Sequence, residues 1–427
     1  MMRLFALCLC VAAALPAQER MRLNLYQAQE IALRNHPRAD VAILEARAAE
    51  QSPTQERANL RPVVQSHLTG AGAATQSRLG AGAINNPIIF SRVATGMTLS
   101  QMLYDWGRTR NMVDAAIERA RSSSDTARFV QAEVLLGVRQ AYFAALRART
   151  VLTVARETVE ARSLVADQVQ ALFDAKLKSG LDLSFARVNV AEAQMLLASA
   201  ENDRAAADAG LSTAMGFSEP REFDLDPEPL DVSALPPEED LSREALENRP
   251  DLSALRHQVE AARRFTDAER ALLKPSFSAA ASAGLVPAHV AGIRSEYGAV
   301  ALNISLPILN GNLFRSRIAE AELRERAATQ RLQAAANEVR RDLRVALLSL
   351  DSAAQRVRLA GELVRQSTEA LELAEARYEL GLSSIVELSQ AQLGKTQADL
   401  QEANARFEYQ LHRAIVEFHA SRQPPVR

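Results

Sequence analysis

Two stretches decide the fold, because they are one stretch written twice: ALRNHPRADVAILEARAAEQSPTQERANLRP at 32–62 and ALENRPDLSALRHQVEAARRFTDAERALLKP at 245–275. They align without a gap at an offset of 213. Asn35 and Pro37 meet Asn248 and Pro250, Glu56 and Arg57 meet Glu269 and Arg270, and Leu60 and Pro62 meet Leu273 and Pro275. A solenoid repeats every ~20–50 residues. This period is far longer, so each copy is a domain-sized half and the fold carries internal twofold pseudo-symmetry.

Working outward, each half obeys the same grammar. The first repeat, 18–215, reads as a helix (24–60) capped by Asn24 and interrupted near Pro53. A β-hairpin (62–105) and a helical hairpin (107–215) follow it. The second, 241–420, reads as a helix (241–273), a β-hairpin (275–310) and a helical hairpin (311–420). The strands alternate: Val93, Thr95, Met97 and Leu99 fall on one face, and Ala94, Gly96, Thr98 and Ser100 on the other. Val300, Leu302, Ile304 and Leu306 alternate with Ala299, Ala301, Asn303 and Ser305 in the same way. These runs are long enough for tilted transmembrane strands, which need ~9–11 residues. A half-buried soluble hairpin fits any single run equally well.

The helical hairpins begin with very long arms. Apolar and small residues alternate steps of four and three from Val339 through Leu343, Ala346, Leu350 and Ala353 to Tyr378, and again from Val134 to Val159. That is a heptad seam with one large and one small layer, which brings helices close together. Each arm is expected to end at a glycine, Gly180 or Gly381, and to turn back into a shorter helix. Between the halves, 216–240 holds Pro220, Pro227, Pro229, Pro236 and Pro237 and reads as an extended connector. Residues 421–427 form a short tail.

Bulk properties narrow the function. The apolar fraction is 48% but aromatics are only 5%, and much of the difference is alanine, which suits close-packed helices. The net charge of −2 offers no basic footprint for nucleic acid. Arg3, the apolar run at 4–15 and Leu15-Pro16-Ala17 read as a signal peptide over 1–17. The run is too short for a spanning helix of ~20 residues, and no later stretch approaches that length. Both cysteines, Cys8 and Cys10, lie in this leader. An exported chain that is either soluble or a membrane β-protein is the expectation. No nucleophile–base pair, phosphate loop or metal-ligand cluster stands out, so catalysis, cofactors and metals are not expected. His412 and His419 share a helix face, a spacing that packing explains.

Four strands per chain cannot close a barrel, since the smallest transmembrane barrels take about eight. Open strand edges are not tolerated in lipid. Strands in a membrane therefore require several chains to share one barrel, with the helices forming a second barrel below.

Several local sequences point to a family. They are the Asn-x-Pro openings (Asn35-His36-Pro37, Asn248-Arg249-Pro250), the Arg61-Pro62 and Lys274-Pro275 strand openings, the strand-to-helix exits at 99–107 and 304–311, and the tip Tyr378-Glu379-Leu380-Gly381-Leu382. Together they resemble the outer-membrane efflux proteins, the TolC-like family, over essentially the whole mature chain. The resemblance implies a mainly helical homotrimer with a shared twelve-stranded transmembrane β-barrel and an α-helical barrel crossing the periplasm. It implies a passive exit duct of a tripartite efflux or type I secretion system. The partners would be outer-membrane lipid, a periplasmic adaptor and an inner-membrane pump of RND or ABC type.

The resemblance also nominates residues. Tyr378 matches the family's constriction tyrosine, and Glu387 falls where an aspartate often stands, so three copies would form a carboxylate ring that attracts cations. Ser383 stands where such gates can carry an arginine, and Gln390 where a second acidic ring can lie. On the residues alone, Glu387 also fits an ordinary solvent-facing helix position. Gly180, Leu181, Gly381, Leu382 and Ser383 resemble adaptor-docking tips. Phe90, Tyr104, Trp106 and Tyr297, at strand ends, suit a membrane-interface belt. Two rival readings are a periplasmic adaptor, which would have a single helical hairpin between β-rich domains, and a soluble coiled-coil scaffold.

Overall fold

The computed structural model describes residues 21–74, 91–230, 233–288 and 294–422. Residues 1–20 with the expected signal peptide, the stretch 75–90 with Phe90, and the end of the tail lie outside these residues. The first half comprises β1 (Met21–Leu23), α1 (Leu25–Asn35), α2 (Pro37–Ala49), α3 (Ser52–Ala58), β2 (Val63–Ala71), β3 (Arg92–Tyr104), α4 (Arg108–Asp174) and α5 (Gly180–Ala214). The second comprises β4 (Phe223–Leu225), α6 (Glu238–Asn248), α7 (Pro250–Arg270) with a 3-10 turn at Ala271–Leu273, β5 (Ser276–Ala288), β6 (Glu296–Ser305), α8 (Leu313–Glu379) and α9 (Ile385–His419).

The helices expected over 24–60 and 241–273 are each broken, and the Asn-x-Pro motif breaks them. Proline lacks an N–H and forces the preceding residue out of the α region, so it suits the first position of a new helix. His36 and Arg249 are accordingly extended, with ψ of 118° and 127°, and Pro37 and Pro250 open α2 and α7. Pro53 likewise sits in the first turn of α3. Asn24 caps α1 as expected, in a capping box: its side chain accepts from Gln27 N at 2.8 Å while the Gln27 side chain accepts from Asn24 N at 3.0 Å.

α4 and α8 hold 67 residues each, and α5 and α9 hold 35 each. At ~1.5 Å per residue the long arms reach roughly 100 Å. The seams fall where the heptads put them. Val134, Val138, Ala145, Ala148, Leu152 and Ala155 are buried on α4, and Val339, Leu343, Ala346, Leu350, Ala353, Ala360, Ala374 and Tyr378 on α8. The halves are joined across the seam by Arg139 and Glu417, paired at 2.7 Å and largely enclosed.

Four helix ends close by one device: a left-handed residue lets the next N–H reach back five residues. Lys176 (φ 61°), Gly216 (84°), Gly381 (72°) and Ser421 (59°) occupy that position. Leu177 N donates to Leu172 O and Leu382 N to Arg377 O, both at 2.8 Å. The expectation that Gly180 turns the first tip is therefore corrected. Lys176 makes the turn, and Gly180 opens α5 behind the cap Ser179, whose hydroxyl accepts from Asp182 N at 3.2 Å.

The connector at 216–240 is also more structured than its prolines suggest. β4 lies parallel to β1, with Leu23 opposite Leu225, and α6 begins at Glu238. Tyr142, fully buried on α4, fastens this ribbon: its hydroxyl lies 3.0 Å from Leu23 O and 2.7 Å from Asp226 O. Leu23, Phe223 and Leu225 share a core with Tyr142, Phe143, Leu211 and Met215. The second core gathers Leu241, Leu252, Leu343, Leu350, Tyr409 and Val416.

The two β-hairpins join edge to edge in one antiparallel sheet, ordered β2-β3-β5-β6. Among the described residues, no helix is long and apolar enough to cross a membrane.

Candidate functional site at the sheet and the helix tips

The sheet has two chemically different faces, which its register assigns because side chains alternate along a strand. One face carries Val64, Leu68, Met97, Leu99, Leu285, Val300, Leu302 and Ile304. These side chains are exposed in the single chain, Val300 to 87% and Leu68 to 79%. The other face carries Gln65, His67, Thr98, Ser100, Ser278, Ser282, Asn303 and Ser305, with alanine and glycine between and Val63 and Met102 near the helix end. No described helix packs on the apolar face, and β2 and β6 each leave one edge unpaired.

At the helix end of the sheet, Tyr104 stacks edge-on to Trp106 at 5.1 Å and lies 6.4 Å from Phe277, whose side belongs to the apolar face. Trp106 itself is left-handed (φ 58°), strained for so large a residue, and Lys274 Nζ sits 5.1 Å from its ring. Tyr297 departs from the expected belt. Its ring lies on the small, polar face, over Gly96 and Gly284.

At the opposite end of the long helices, the two tips touch. Tyr378 is buried to 8% exposure among Val169, Leu183, Ala186, Ile385 and Leu388, so the second tip packs on the first. Lys178 Nζ stands 4.2 Å over the Tyr378 ring, and Asn189 donates to Ser389 Oγ at 2.6 Å. Burial, and secondly the charge of Asp182, push the Tyr378 phenol above its ordinary pKa. The Tyr378 hydroxyl and Ser383 Oγ are enclosed with no hydrogen-bond partner among the described residues.

Glu387 lies in the first turn of α9 and is half-exposed. Its carboxylate pairs with Arg377 Nε at 3.1 Å. Gln390 is exposed nearby. Leu177, Leu181, Leu380 and Leu382 project into solvent, each at least 66% exposed. Leu177 and Lys178 were not nominated from sequence. The matching helix ends put Leu177 opposite Leu382, and Asp182 opposite Glu387, a correspondence that the misplaced turn at Gly180 hid.

The family described as outer membrane efflux protein matches over residues 28–217 and 241–417. The chain belongs to that family. Among its relatives, the outer membrane protein OprJ of Pseudomonas aeruginosa is 26% identical over 373 residues, 85% of this chain and 76% of OprJ. The solvent efflux pump outer membrane protein SrpC of Pseudomonas putida is 27% identical over 71% of this chain and 65% of its own length. TolC of Salmonella enteritidis is 23% identical over 78% of this chain and 70% of TolC. Among solved structures, a Pseudomonas aeruginosa membrane protein superposes with a TM-score of 0.80 at 23% identity, covering 93% of both chains. The outer-membrane channel OprN gives 0.79 at 19% identity, over 93% and 90%. This efflux protein is thus an outer-membrane transport component with the family's fold.

Proposed function

We propose that three copies of the chain form one exit duct, in which twelve strands close a barrel in the outer membrane and the helices continue it through the periplasm. The observation that carries the reading is the two-faced sheet: one face apolar, the other mainly small and polar, with both edges open. A backbone edge unpaired in hydrocarbon costs several kcal/mol per group, so the strands must close on those of other copies.

The helices support the same assembly. Val345, Leu348, Leu359, Leu363 and Leu373 share one side of α8, opposite its buried seam, and Phe185, Val188 and Met195 share one side of α5. Both stripes are exposed in the single chain. Neighbouring copies would cover them.

The tips form the gate. Tyr378 seats the second hairpin on the first, a few polar contacts hold it, and Glu387 with Arg377 faces the bore. The exposed leucines at 177, 181, 380 and 382, with Gly381 and Ser383, are the surface for a periplasmic adaptor coupled to an inner-membrane pump. Tyr104 and Trp106 lie at the lipid boundary. Native mass measurement of the full chain in detergent tests the assembly: a trimer is expected, and a monomer that stays soluble without detergent would overturn it.

A further inference from the structure

One row across the sheet is unlike the rest. The register sets His67 on β2 beside Gly96 on β3, Gly284 on β5 and Tyr297 on β6. All four lie on the small, polar face, near the end of the sheet away from the helices. A β-carbon on Gly96 would collide with the Tyr297 hydroxyl oxygen and lie 3.0 Å from its Cζ. A β-carbon on Gly284 would collide with the Thr95 carbonyl oxygen and lie 2.5 Å from the same hydroxyl oxygen and 2.6 Å from Cζ, and one on Gly96 would also lie 2.9 Å from the Ala283 carbonyl oxygen. Gly96 is two strands from Tyr297, roughly 9–10 Å away across the sheet. Only a phenol laid along the sheet reaches it, so the ring lies flat against the wall.

Glycine inside a strand weakens it and marks a place where something approaches closely. Here two paired glycines make a trough, and the tyrosine fills it, as aromatic rings cover strand glycines elsewhere. The residues around it, Thr98, Ser282 and Ala299, are small. A ring standing upright here would be the tallest group on the wall at that level.

We infer that Tyr297 is a size-determining residue of the exit path, and that Gly96 and Gly284 hold its ring flat so that the outer mouth stays wide enough for bulky cargo. The inference rests on the barrel reading, which makes this face the lumen and repeats the row in each copy. A substituent in the trough would lift each ring and narrow the bore from several sides.

The test introduces Ser278→Cys, which lies on the same face but nearer the helices, into the full chain with Cys8 and Cys10 replaced by alanine. Thiol reagents of graded size are applied outside intact cells, and the largest reagent that labels the introduced thiol is recorded. Gly96→Ala and Tyr297→Trp are each expected to lower this size limit, with small-reagent labelling kept. Gly96→Ala combined with Tyr297→Ala is expected to restore it. An unchanged limit in Gly96→Ala and Tyr297→Trp, or a limit still lowered in the combined variant, would overturn the inference. Tyr297→Trp leaves the backbone alone, so it decides the matter if Gly96→Ala fails to assemble. If no reagent of any size reaches the thiol in the parent, the barrel reading itself fails, and that outcome is distinct from the others.

Discussion

At the scale of single residues, Tyr142 carries the most structural consequence for the fewest atoms. Its hydroxyl lies within hydrogen-bond distance of carbonyls at the ends of both short strands, β1 and β4. Tyr142→Phe keeps the packing but removes the single hydroxyl donor, leaving the part-buried Asp226 carbonyl without it at ~1–3 kcal/mol, while Leu23 O keeps its bond from Asp226 N. Loosening of the β1–β4 ribbon, read as faster amide exchange around Leu23 and Leu225, is the expected result. Glu387 makes a sharper test of the gate than its sequence position suggested, because Arg377 pairs with it. Glu387→Ala should move the zero-current potential in planar bilayers towards anions, since the arginine is then left unbalanced. Glu387→Ala combined with Arg377→Ala should return most of the shift, and an unmoved potential would take Glu387 out of the bore. Neither Arg377 nor Lys178 was legible as a tip residue, because which side chains meet across two hairpins depends on helix rotation that one sequence does not record.

At the scale of elements, the helix ends couple to pH. His36 caps α2 by accepting from Arg38 N at 3.2 Å, and His419 at the end of α9 lies 3.2 Å from Arg249 Nη1. Burial first, and then the neighbouring arginine, hold His36, His412 and His419 below the ordinary value of 6.5. A lowered histidine binds fewer protons folded than unfolded. Its stabilisation is therefore complete above that ordinary value and is lost as pH falls through the depressed one. Thermal unfolding should come at lower temperature at about pH 5 than at about pH 7.5, and His419→Gln should flatten that dependence. An equal slope in the variant would assign the effect to other groups.

Element type was largely readable from the sequence. The heptads from Val134 and Val339 located both long helices and their buried sides, since burial repeats with helical period whatever the partner. The breaks at Pro37 and Pro250 were not legible because helix-forming residues run on both sides of them and proline is also at home in the first turn of a helix. β1 and β4 were missed because three residues are too few to show alternation. Lys176 in the turn could not be read from the sequence, since residue identity favoured the nearby glycine.

At the scale of the whole molecule, the uncovered stripes on α5 and α8 are the faces on which the proposed assembly depends. Leu359→Arg places a charge on the α8 stripe, 69% exposed in the lone chain. Because it touches no buried seam, helix content by circular dichroism should persist while the trimer is lost in native mass measurement. A trimer that survives would mean α8 faces solvent there. The fold class was legible because both halves repeat it, and the likeness to known channels over nearly the whole chain agrees with that reading. The direction each stripe faces was not legible, because a heptad marks which residues are buried, not which neighbour buries them.

The two halves keep step in their helices but not in their strands. Between α4 and α8 the offset is 205, against 213 at the Asn-x-Pro openings, so the second copy is eight residues shorter in the intervening hairpin. The residues between β2 and β3 run from 72 to 91, and those between β5 and β6 only from 289 to 295. In a ring of three chains, six equal helical hairpins would end flush at the bottom, a nearly hexagonal foot. The hairpins differ in length between the halves, so the opposite end of such a ring would keep only threefold symmetry.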